Sequence, residues 1–418
     1  MSRLNVELYG VMLGTLSQTA LGVDFQVNPE AFSKFPLLST IMSLAVPLNL
    51  KFTNPQKRRC SNFFVELLPE GRNLRWLEQS LPRDERNLYG MLRKYGKDIA
   101  GALIIYDPNE PEAGRKPKSE QVDPRKIRYL FEHMPQEPLG NSPVSGKTSL
   151  GGVQGKIVLA KKGQYWYRTH YGYPSTHILK PVVPEYPTMI YDEAFCMQAA
   201  AKAGLTGHPV WIEEFDGAEA LVIERFDRNK NVPLGRIHQE DFNQVLGAHG
   251  NQKYQEYGGK VSAKRIAQTL ESTTGSAGVK GFASQLIFAI AIGNLDMHAK
   301  NVSVLHLPDE TVALAPAYDQ VPLRHHNTDV RLALAVGGEY THSNITLADI
   351  ASELTSWKCQ LFSDEAAIDD FIKNCLTSFQ DALDGTKPGD KAYPRLKKDI
   401  SLFISNLLAG DRIGAVTR

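Results

Sequence analysis

Several features that mark particular classes of protein are missing from this chain of 418 residues. Its four cysteines are scattered and form no Cys-x-x-Cys pair, which argues against a zinc ribbon and against a disulfide framework. Lys and Arg together number 47 against 46 Asp and Glu, a net charge of +1. This balance gives no general attraction to nucleic acid or to a membrane surface.

Long apolar segments are missing as well. The longest strongly apolar run, residues 286–292, is far too short to span a bilayer. The first ten residues lack the apolar region of a signal peptide. We therefore expect a cytoplasmic protein with reduced thiols and no membrane association.

The composition that remains, 42% hydrophobic and 22% charged, is that of a globular protein with two or three domains. Changes in pattern along the chain predict four regions. These are an N-terminal α+β domain over 1–110, a linker-like segment over 111–147 with a short helix at 127–133, a β-rich nucleotide-binding lobe over 148–236, and a helical C-lobe over 237–418.

Local patterns predict individual elements within these regions. Residues 4–8 and 11–16 read as the strands of a hairpin, and residues 62–95 carry helical spacing. Residues 188–203 predict a helix with Thr188 as its N-cap and Gly204 as its stop.

The stretch NLDMHAKN at 294–301 raises the question of function. Asp296 lies five residues before Asn301, the spacing that separates the catalytic Asp from the metal-binding Asn in the protein-kinase catalytic loop. There the Asp orients the attacking hydroxyl and accepts its proton, while the Asn binds Mg²⁺ on the phosphates. Alone the spacing is weak, because the same pair occurs often by chance.

A second aspartate strengthens this interpretation. Asp319 follows Asn301 by eighteen residues, after an apolar run and a proline. This placement suits the Mg²⁺ ligand that kinases carry beyond the catalytic loop. Taken by itself, Asp319 is more often a turn residue or a helix cap.

Upstream motifs complete the order found in kinases. Glycines and Lys156 in residues 151–156 precede a strand, and their backbone N–H groups suit contact with phosphates. Lys180 ends the strand HILK, and Glu193 on the next helix is a candidate partner. Residues 224–226 follow a further strand, as a hinge that holds adenine would. Each motif has an ordinary structural alternative, but their common order favours a kinase.

The motifs SLGGVQGK (149–156), THILK (176–180), IERFDR (223–228), HQEDF (238–242), GNLDMHAKN (293–301) and LAPAYD (314–319) together identify a family. The sequence resembles the HipA-type serine/threonine kinases, which are toxins of type II toxin–antitoxin modules. The segments FFVELLPEG, GKDIAGAL and LALAVGG also fit this family, so the resemblance covers most of the chain.

The resemblance implies an α+β, two-lobed protein-kinase-like fold and a Mg²⁺- and ATP-dependent reaction. Asp296 would be the catalytic residue, Asn301 and Asp319 would bind the metal, and Glu193 would support Lys180. Ser149 stands where the family is autophosphorylated and silenced. The implied ATP site consists of Gly151, Gly152, Val153, Gln154, Gly155, Lys156, Lys180, Glu224, Arg225, Phe226, His298, Ala299, Lys300, Asn301, Tyr318 and Asp319.

The resemblance also implies partners. These are a HipB-like helix-turn-helix antitoxin, operator DNA reached mainly through that antitoxin, and a protein substrate such as an aminoacyl-tRNA synthetase. Two positions depart from the family pattern: Gly155 replaces a bulkier residue and Met297 replaces a small or basic one. A nucleotide-binding corepressor acting with an antitoxin, and a small-molecule kinase, remain open as alternatives.

Overall fold

The computed structural model describes residues 3–20, 22–110, 116–137, 139, 155–326 and 330–415. The chain forms two compact units, which we call the first and second unit. The first unit comprises Met1–Pro181, Glu213–Gly250 and Leu305–Thr311. The second unit comprises Val182–Ile212, Asn251–Val304 and Val312–Arg418.

The first unit begins with an antiparallel four-stranded sheet. Its strands are β1 (Arg3–Leu8), β2 (Val11–Thr19), β3 (Gly22–Val27) and β4 (Ile104–Tyr106), in the order β3-β2-β1-β4. The predicted hairpin is confirmed. Tyr9 and Gly10 connect β1 to β2 with φ values of 54° and 77°, and two positive φ angles suit the twist of a two-residue hairpin turn.

Three helices follow where the sequence shows helical spacing, and their buried residues share one core with this sheet. They are α1 (Asn54–Glu66), α2 (Gly71–Gln79) and α3 (Leu88–Tyr95). The first of them begins before the predicted segment because Thr53 and Gln56 form a capping box at its N-terminus. The core between helices and sheet is rich in aromatic rings. The ring centroids of Phe25 in β3 and Phe64 in α1, for example, lie 5.6 Å apart.

A six-stranded antiparallel sheet follows in the first unit. Its order is β5-β7-β6-β8-β10-β9, and the residues of β9 from Glu213 onward belong to this unit. The strands are β5 (Lys118–Val122), β6 (Ile157–Lys162), β7 (Tyr165–His170), β8 (His177–Pro181), β9 (Val210–Phe215) and β10 (Ala218–Glu224). A short strand β11 (His238–Asp241) and helix α6 (Phe242–Val245) follow.

The segment predicted to be linker-like contains regular structure. Strand β5 and helix α4 (Pro124–Glu132) both lie within 111–147. Asp123 caps α4 by accepting a hydrogen bond from the Lys126 N–H, and Ile127 on its inner face is fully buried. The sequence of β5, KSEQV, is polar enough to read as a loop because it is an edge strand that exposes most of its side chains.

A buried ion cluster joins residues 98–101 to residues 225–236 inside the first unit. Asp227 contacts Arg225 at 2.6 Å and Arg228 at 2.9 Å. Asp98 contacts Arg228 at 3.1 Å and Arg236 at 3.3 Å. The side chains of all five residues are at most 5% exposed. Buried charges are stable only when they are paired, so this cluster fixes both segments in place.

The second unit is mainly helical. Its helices are α5 (Met189–Lys202), α7 (Ala263–Ile292), α8 (Leu347–Ser356), α9 (Glu365–Asp384) and α10 (Leu396–Leu408). Short strands accompany them: β12 (Ser303–His306, of which Ser303 and Val304 belong to this unit), β13 (Val312–Leu314), β14 (Arg331–Val336) and β15 (Glu339–Thr341).

The predicted helix at 188–203 is confirmed as α5. Gly204 stops it with a φ of 75°, and the Leu205 N–H donates to the Ala200 carbonyl in the manner of a glycine-terminated helix. Thr188 is the N-cap residue, as predicted, but its side chain makes no capping hydrogen bond. Its hydroxyl instead donates to the carboxylate of Asp192, one turn along the helix, at 2.7 Å.

Helix α7 is the central element of the second unit. Its length and composition would allow it to cross a membrane, but 67% of its most apolar window is buried inside the protein. Gly275 interrupts it with non-helical φ and ψ angles of 66° and −163°. Its Phe282 stacks on Trp357, with ring centroids 5.3 Å apart. Helix α7 is therefore the core helix around which this unit is built.

Candidate active site

The loop at 294–301 starts where helix α7 ends. The last turns of α7 are apolar and buried, which fixes this end of the helix in the core. Gly293 then adopts a φ of 75°, and the Asn294 N–H donates to the Ala289 carbonyl at 2.8 Å. Because this left-handed conformation costs little only for glycine, Gly293 sets the direction in which the loop leaves the helix.

Gly293→Ala is expected to lower the free energy of unfolding by about 2–4 kcal/mol, from left-handed strain and overpacking together. A Cβ at position 293 would lie 2.7 Å from the Cβ of Arg324. The matched control is Gly410→Ala after α10, where φ is 81° and nothing lies within 4 Å of an added Cβ. Thermal and urea unfolding should show a clearly larger loss for the first variant, and equal losses would contradict the packing argument.

Asn294 bridges the two segments that carry the predicted aspartates. Its Oδ1 accepts a hydrogen bond from the Asp296 N–H at 3.1 Å, and its Nδ2 donates to the Asp319 carbonyl at 3.2 Å. The side chain is 2% exposed. An amide can serve both contacts because it carries an acceptor and donors on one planar group. The structure thereby brings Asp296 and Asp319 into one hydrogen-bonded network.

The loop itself is closed by its own hydrogen bonds. Asn301 Nδ2 donates to the Asp296 carbonyl at 2.8 Å, and the His298 N–H donates to the same carbonyl at 2.7 Å. Within 294–301, Asp296 and Asn301 are the two residues with intermediate exposure, whereas the others are buried. The five-residue spacing seen in the sequence thus corresponds to a compact turn that presents these two side chains to solvent.

The Asp296 carboxylate is contacted through both of its oxygens. The Tyr254 hydroxyl donates to Oδ1 at 3.0 Å, and His298 Nε2 lies 3.7 Å from Oδ2. The carboxylate is 41% exposed and the His298 side chain is 7% exposed. Burial, together with the nearby charge of Lys253, lowers the pKa of His298 to about 3, although Asp319 acts in the opposite direction. His298 is therefore a neutral neighbour of Asp296 near pH 7.

Two further residues of the predicted ATP site, Tyr318 and Lys300, connect the 294–301 loop to the segment before Asp319. The Tyr318 hydroxyl donates to the Lys300 carbonyl at 2.7 Å and lies 2.6 Å from Ser303 Oγ. Lys300 and Ala299 are buried within a short helical turn. Through these contacts the segment before Asp319 is held against the end of the 294–301 loop.

The side chains of Asn301 and Asp319 have the chemistry that Mg²⁺ requires, since both offer hard oxygen donors. The hydrogen bond from Asn301 uses the nitrogen of its amide, so the oxygen is the atom that can bind a cation. In the described parts of the chain, no three His, Cys, Asp or Glu side chains form a metal-binding group. Mg²⁺ keeps several waters and takes few protein oxygens beside those of phosphates, and the oxygens of Asn301 and Asp319 could supply them.

The predicted nucleotide residues of the first unit lie on its six-stranded sheet. Lys180 is in β8 opposite Leu221 of β10 and is 5% exposed. Lys156 is buried just before β6. A Cβ at Gly155 would lie 2.9 Å from the end of the Met134 side chain, which can move, so the glycine is not a strict requirement there. Ser149 and residues 151–154 lie outside the described residues.

Residues 224–226, the predicted hinge, differ in their exposure and in their contacts. Glu224 ends β10, paired with His177 of β8, and both Glu224 and Phe226 are partly exposed. Arg225 belongs to the buried ion cluster, and its backbone N–H donates to the Thr176 carbonyl at 2.9 Å. These contacts of Arg225 are structural, while its role at a nucleotide stays a prediction. The pairing of Lys180 with Glu193 also stays a prediction. Glu193 is fully buried in α5 of the second unit.

The roles of two residues of the site, Asn294 and Tyr254, were not predicted from the sequence. Asn294 lies within the quoted stretch, but its role depends on a contact with a carbonyl 25 positions away. Tyr254 lies 42 positions before Asp296, in a segment of glycines and polar residues that shows no periodicity. A polar side chain two residues before Asp296 was a usable signal for Asn294, whereas the sequence holds none for Tyr254.

Comparisons with known proteins identify the family of the chain. A family model for the HipA-like C-terminal domain matches residues 148–383, and one for the HipA N-terminal domain matches residues 4–106. The protein Y4mE of Sinorhizobium fredii is 31% identical over 378 residues, which are 87% of this chain and 86% of that one. The serine/threonine-protein kinase toxin HipA of Shewanella oneidensis is 29% identical over 374 residues, 84% and 82% of the two chains.

A solved structure agrees with these matches. The fold is similar to that of a chain in the complex of Shewanella oneidensis HipA, HipB and operator DNA, with a TM-score of 0.77 and 24% identity. The similarity covers 97% of this chain and 96% of that one. This confirms the predicted α+β, protein-kinase-like fold class, and the chain belongs to the HipA family.

Proposed function

We propose that this protein is a Mg²⁺- and ATP-dependent serine/threonine-protein kinase. The observation that carries the proposal is the construction of the 294–301 loop. It buries its other side chains, leaves Asp296 and Asn301 partly exposed, and is joined to Asp319 through Asn294. Phosphoryl transfer requires a group that accepts the proton of the attacking hydroxyl and groups that bind a cation. These groups must be held in fixed positions relative to one another.

In this proposal each side chain has a limited task. Asp296 orients the substrate hydroxyl and accepts its proton, and Asn301 and Asp319 are the residues that would hold Mg²⁺. Bound Mg²⁺ supplies neutralisation of the charge on the transferring phosphoryl group. Lys180 and residues 151–156 bind phosphate oxygens, while Glu224 and Phe226 hold the adenine. Catalysis then consists of positioning and electrostatic stabilisation, with little covalent work for the protein.

The proposal includes control by self-phosphorylation at Ser149. A phosphate adds nearly two negative charges, and Ser149 lies two residues before a loop that faces the phosphates of ATP. Repulsion between these groups favours a conformation in which the loop has left the site. The kinase would thereby be silenced once Ser149 carries a phosphate.

The partners proposed are those of a toxin–antitoxin pair in the cytoplasm. The support is that the similar solved structure contains HipA together with HipB and operator DNA. We propose that a HipB-like antitoxin binds this chain, that operator DNA is reached mainly through it, and that the substrate is a protein of translation such as an aminoacyl-tRNA synthetase.

Incubation of the purified chain with Mg²⁺ and [γ-³²P]ATP should label the chain itself, with the label at Ser149 by peptide mapping. Ser149→Ala should lose the label, whereas Ser145→Ala, a matched change in the same segment, should keep it. Labelled protein should also transfer less phosphate to a lysate substrate than Ser149→Ala does, because phosphorylation silences the enzyme.

Other results would redirect the proposal. Label at another residue would reject Ser149 but keep the kinase. Tight nucleotide binding without transfer to the chain or to any lysate protein would reject the kinase and favour the corepressor. ATP turnover that depends on a small metabolite would favour a small-molecule kinase.

A further inference from the structure

We propose that Tyr254 is a positioning residue, whose hydroxyl holds the Asp296 carboxylate in the orientation needed for phosphoryl transfer. The inference rests on the proposed kinase function and adds to it a residue far from the motifs. Tyr254 and all the residues that argue for its role belong to the second unit.

The direct contact is a hydrogen bond supported by ring packing. The Tyr254 hydroxyl donates to Asp296 Oδ1 at 3.0 Å. Its ring meets the ring of His298 edge to face, with centroids 5.3 Å apart and an interplanar angle of 77°. His298 Nε2 in turn lies 3.7 Å from Asp296 Oδ2. The phenol and the imidazole thus flank the carboxylate, and the phenol holds it through a hydrogen bond.

Strand β14 connects the segment of Tyr254 to the loop of Asp296. The Gln255 N–H donates to the Ala333 carbonyl at 3.0 Å, and the Ala333 N–H donates to the Leu295 carbonyl at 2.9 Å. Gln255 Oε1 also accepts from the Ala335 N–H at 3.1 Å. One residue of β14 therefore fixes the immediate neighbours of both Tyr254 and Asp296, which gives the LALAVGG motif a structural role.

The side chain of Asp296 needs a contact that fixes its orientation. The Asp296 carboxylate is 41% exposed, and an exposed aspartate side chain without a fixed partner samples several rotamers. Misplacement of a catalytic group by about 1 Å can cost about a hundred-fold in rate. A buried apolar wall would hold the side chain but would prevent access by a hydroxyl. A hydrogen bond from one side restricts the carboxylate and leaves it open on another.

The test is Tyr254→Phe, which removes the hydroxyl and keeps the ring against His298. We expect kcat for phosphoryl transfer to fall about ten-fold, because the carboxylate loses the contact that orients it. The KM for ATP, the affinity for nucleotide and the unfolding temperature should stay unchanged, since a positioning role affects the transfer step alone. The matched control is Tyr257→Phe, an exposed tyrosine three residues away, which should behave as the wild type.

Inclusion of Asp296→Asn separates failure of this inference from failure of the kinase proposal. If Asp296→Asn removes transfer and Tyr254→Phe keeps the wild-type kcat, the inference is wrong and the kinase stands. A Tyr254→Phe variant that loses nucleotide affinity or stability in proportion to its rate would also overturn it, because its role would be structural. If wild type and Asp296→Asn transfer phosphate equally, Asp296 is not the catalytic residue and the inference falls with it. If the wild type itself transfers no phosphate, the proposed function fails.

Discussion

Asp296→Asn is expected to lower the rate of phosphoryl transfer by about 10²–10⁴-fold, the usual contribution of a general base. An amide has nearly the shape of the carboxylate, so the loop and its contact with Tyr254 should persist. It cannot, however, accept the proton of the attacking hydroxyl. The measurement is the initial rate of ³²P transfer from ATP, together with nucleotide affinity, which should remain close to that of the wild type.

The matched control for this change is Asp370→Asn, an exposed position on helix α9. It alters charge by the same amount and should leave the rate unchanged. A rate for Asp296→Asn within about three-fold of the wild type would reject Asp296 as the catalytic residue, since acid–base roles are worth far more. Loss of nucleotide binding would instead point to a damaged loop.

Asp227→Ala is expected to cost about 3–5 kcal/mol of folding free energy, the largest stability effect among these predictions. The change removes one of two aspartates that pair with three buried arginines, and it leaves the Gly101 N–H without its acceptor. The measurement is urea and thermal unfolding. The comparison is Asp24→Ala, which breaks an exposed pair with Lys57 and should cost at most about 1 kcal/mol. Equal costs would contradict the argument from burial.

The same cluster predicts a dependence on pH. Burial by itself raises the pKa of Asp227, but the charges of Arg225 and Arg228 outweigh it, so the net pKa lies well below its ordinary value. A carboxyl with a depressed pKa in the folded state stabilises the fold above its unfolded pKa of about 3.9, and this is lost as the pH falls. The stability difference between wild type and Asp227→Ala should therefore be full at pH 7 and should shrink below about pH 4.

The sequence predicts best what depends on neighbours in the chain. The β1–β2 hairpin follows from alternation around Tyr9 and Gly10, and α5 follows from helical periodicity ended by Gly204. Likewise the spacing of Asp296 and Asn301 defines a turn closed by their own hydrogen bond. In each case the determining contacts lie within a few residues, so the pattern of letters contains them.

Contacts between distant segments are harder to predict. The hydrogen bond from Tyr254 spans 42 positions, and that between Gly101 and Asp227 spans 126. Arg225 illustrates the difficulty, because its position after a strand suggests a nucleotide contact while its guanidinium lies in a buried ion cluster. Strand β5 was missed for a related reason, since an edge strand needs no apolar pattern of its own.

The link through Ala333 has a consequence for how this site can vary. It uses the N–H and C=O of the main chain, which every residue other than proline offers alike. Substitution of the side chain therefore leaves the link intact. Insertion or deletion of one residue in β14 would instead shift its register and separate the segment of Tyr254 from the loop of Asp296. Homologues should thus tolerate changes of residue type along this strand far better than changes of its length.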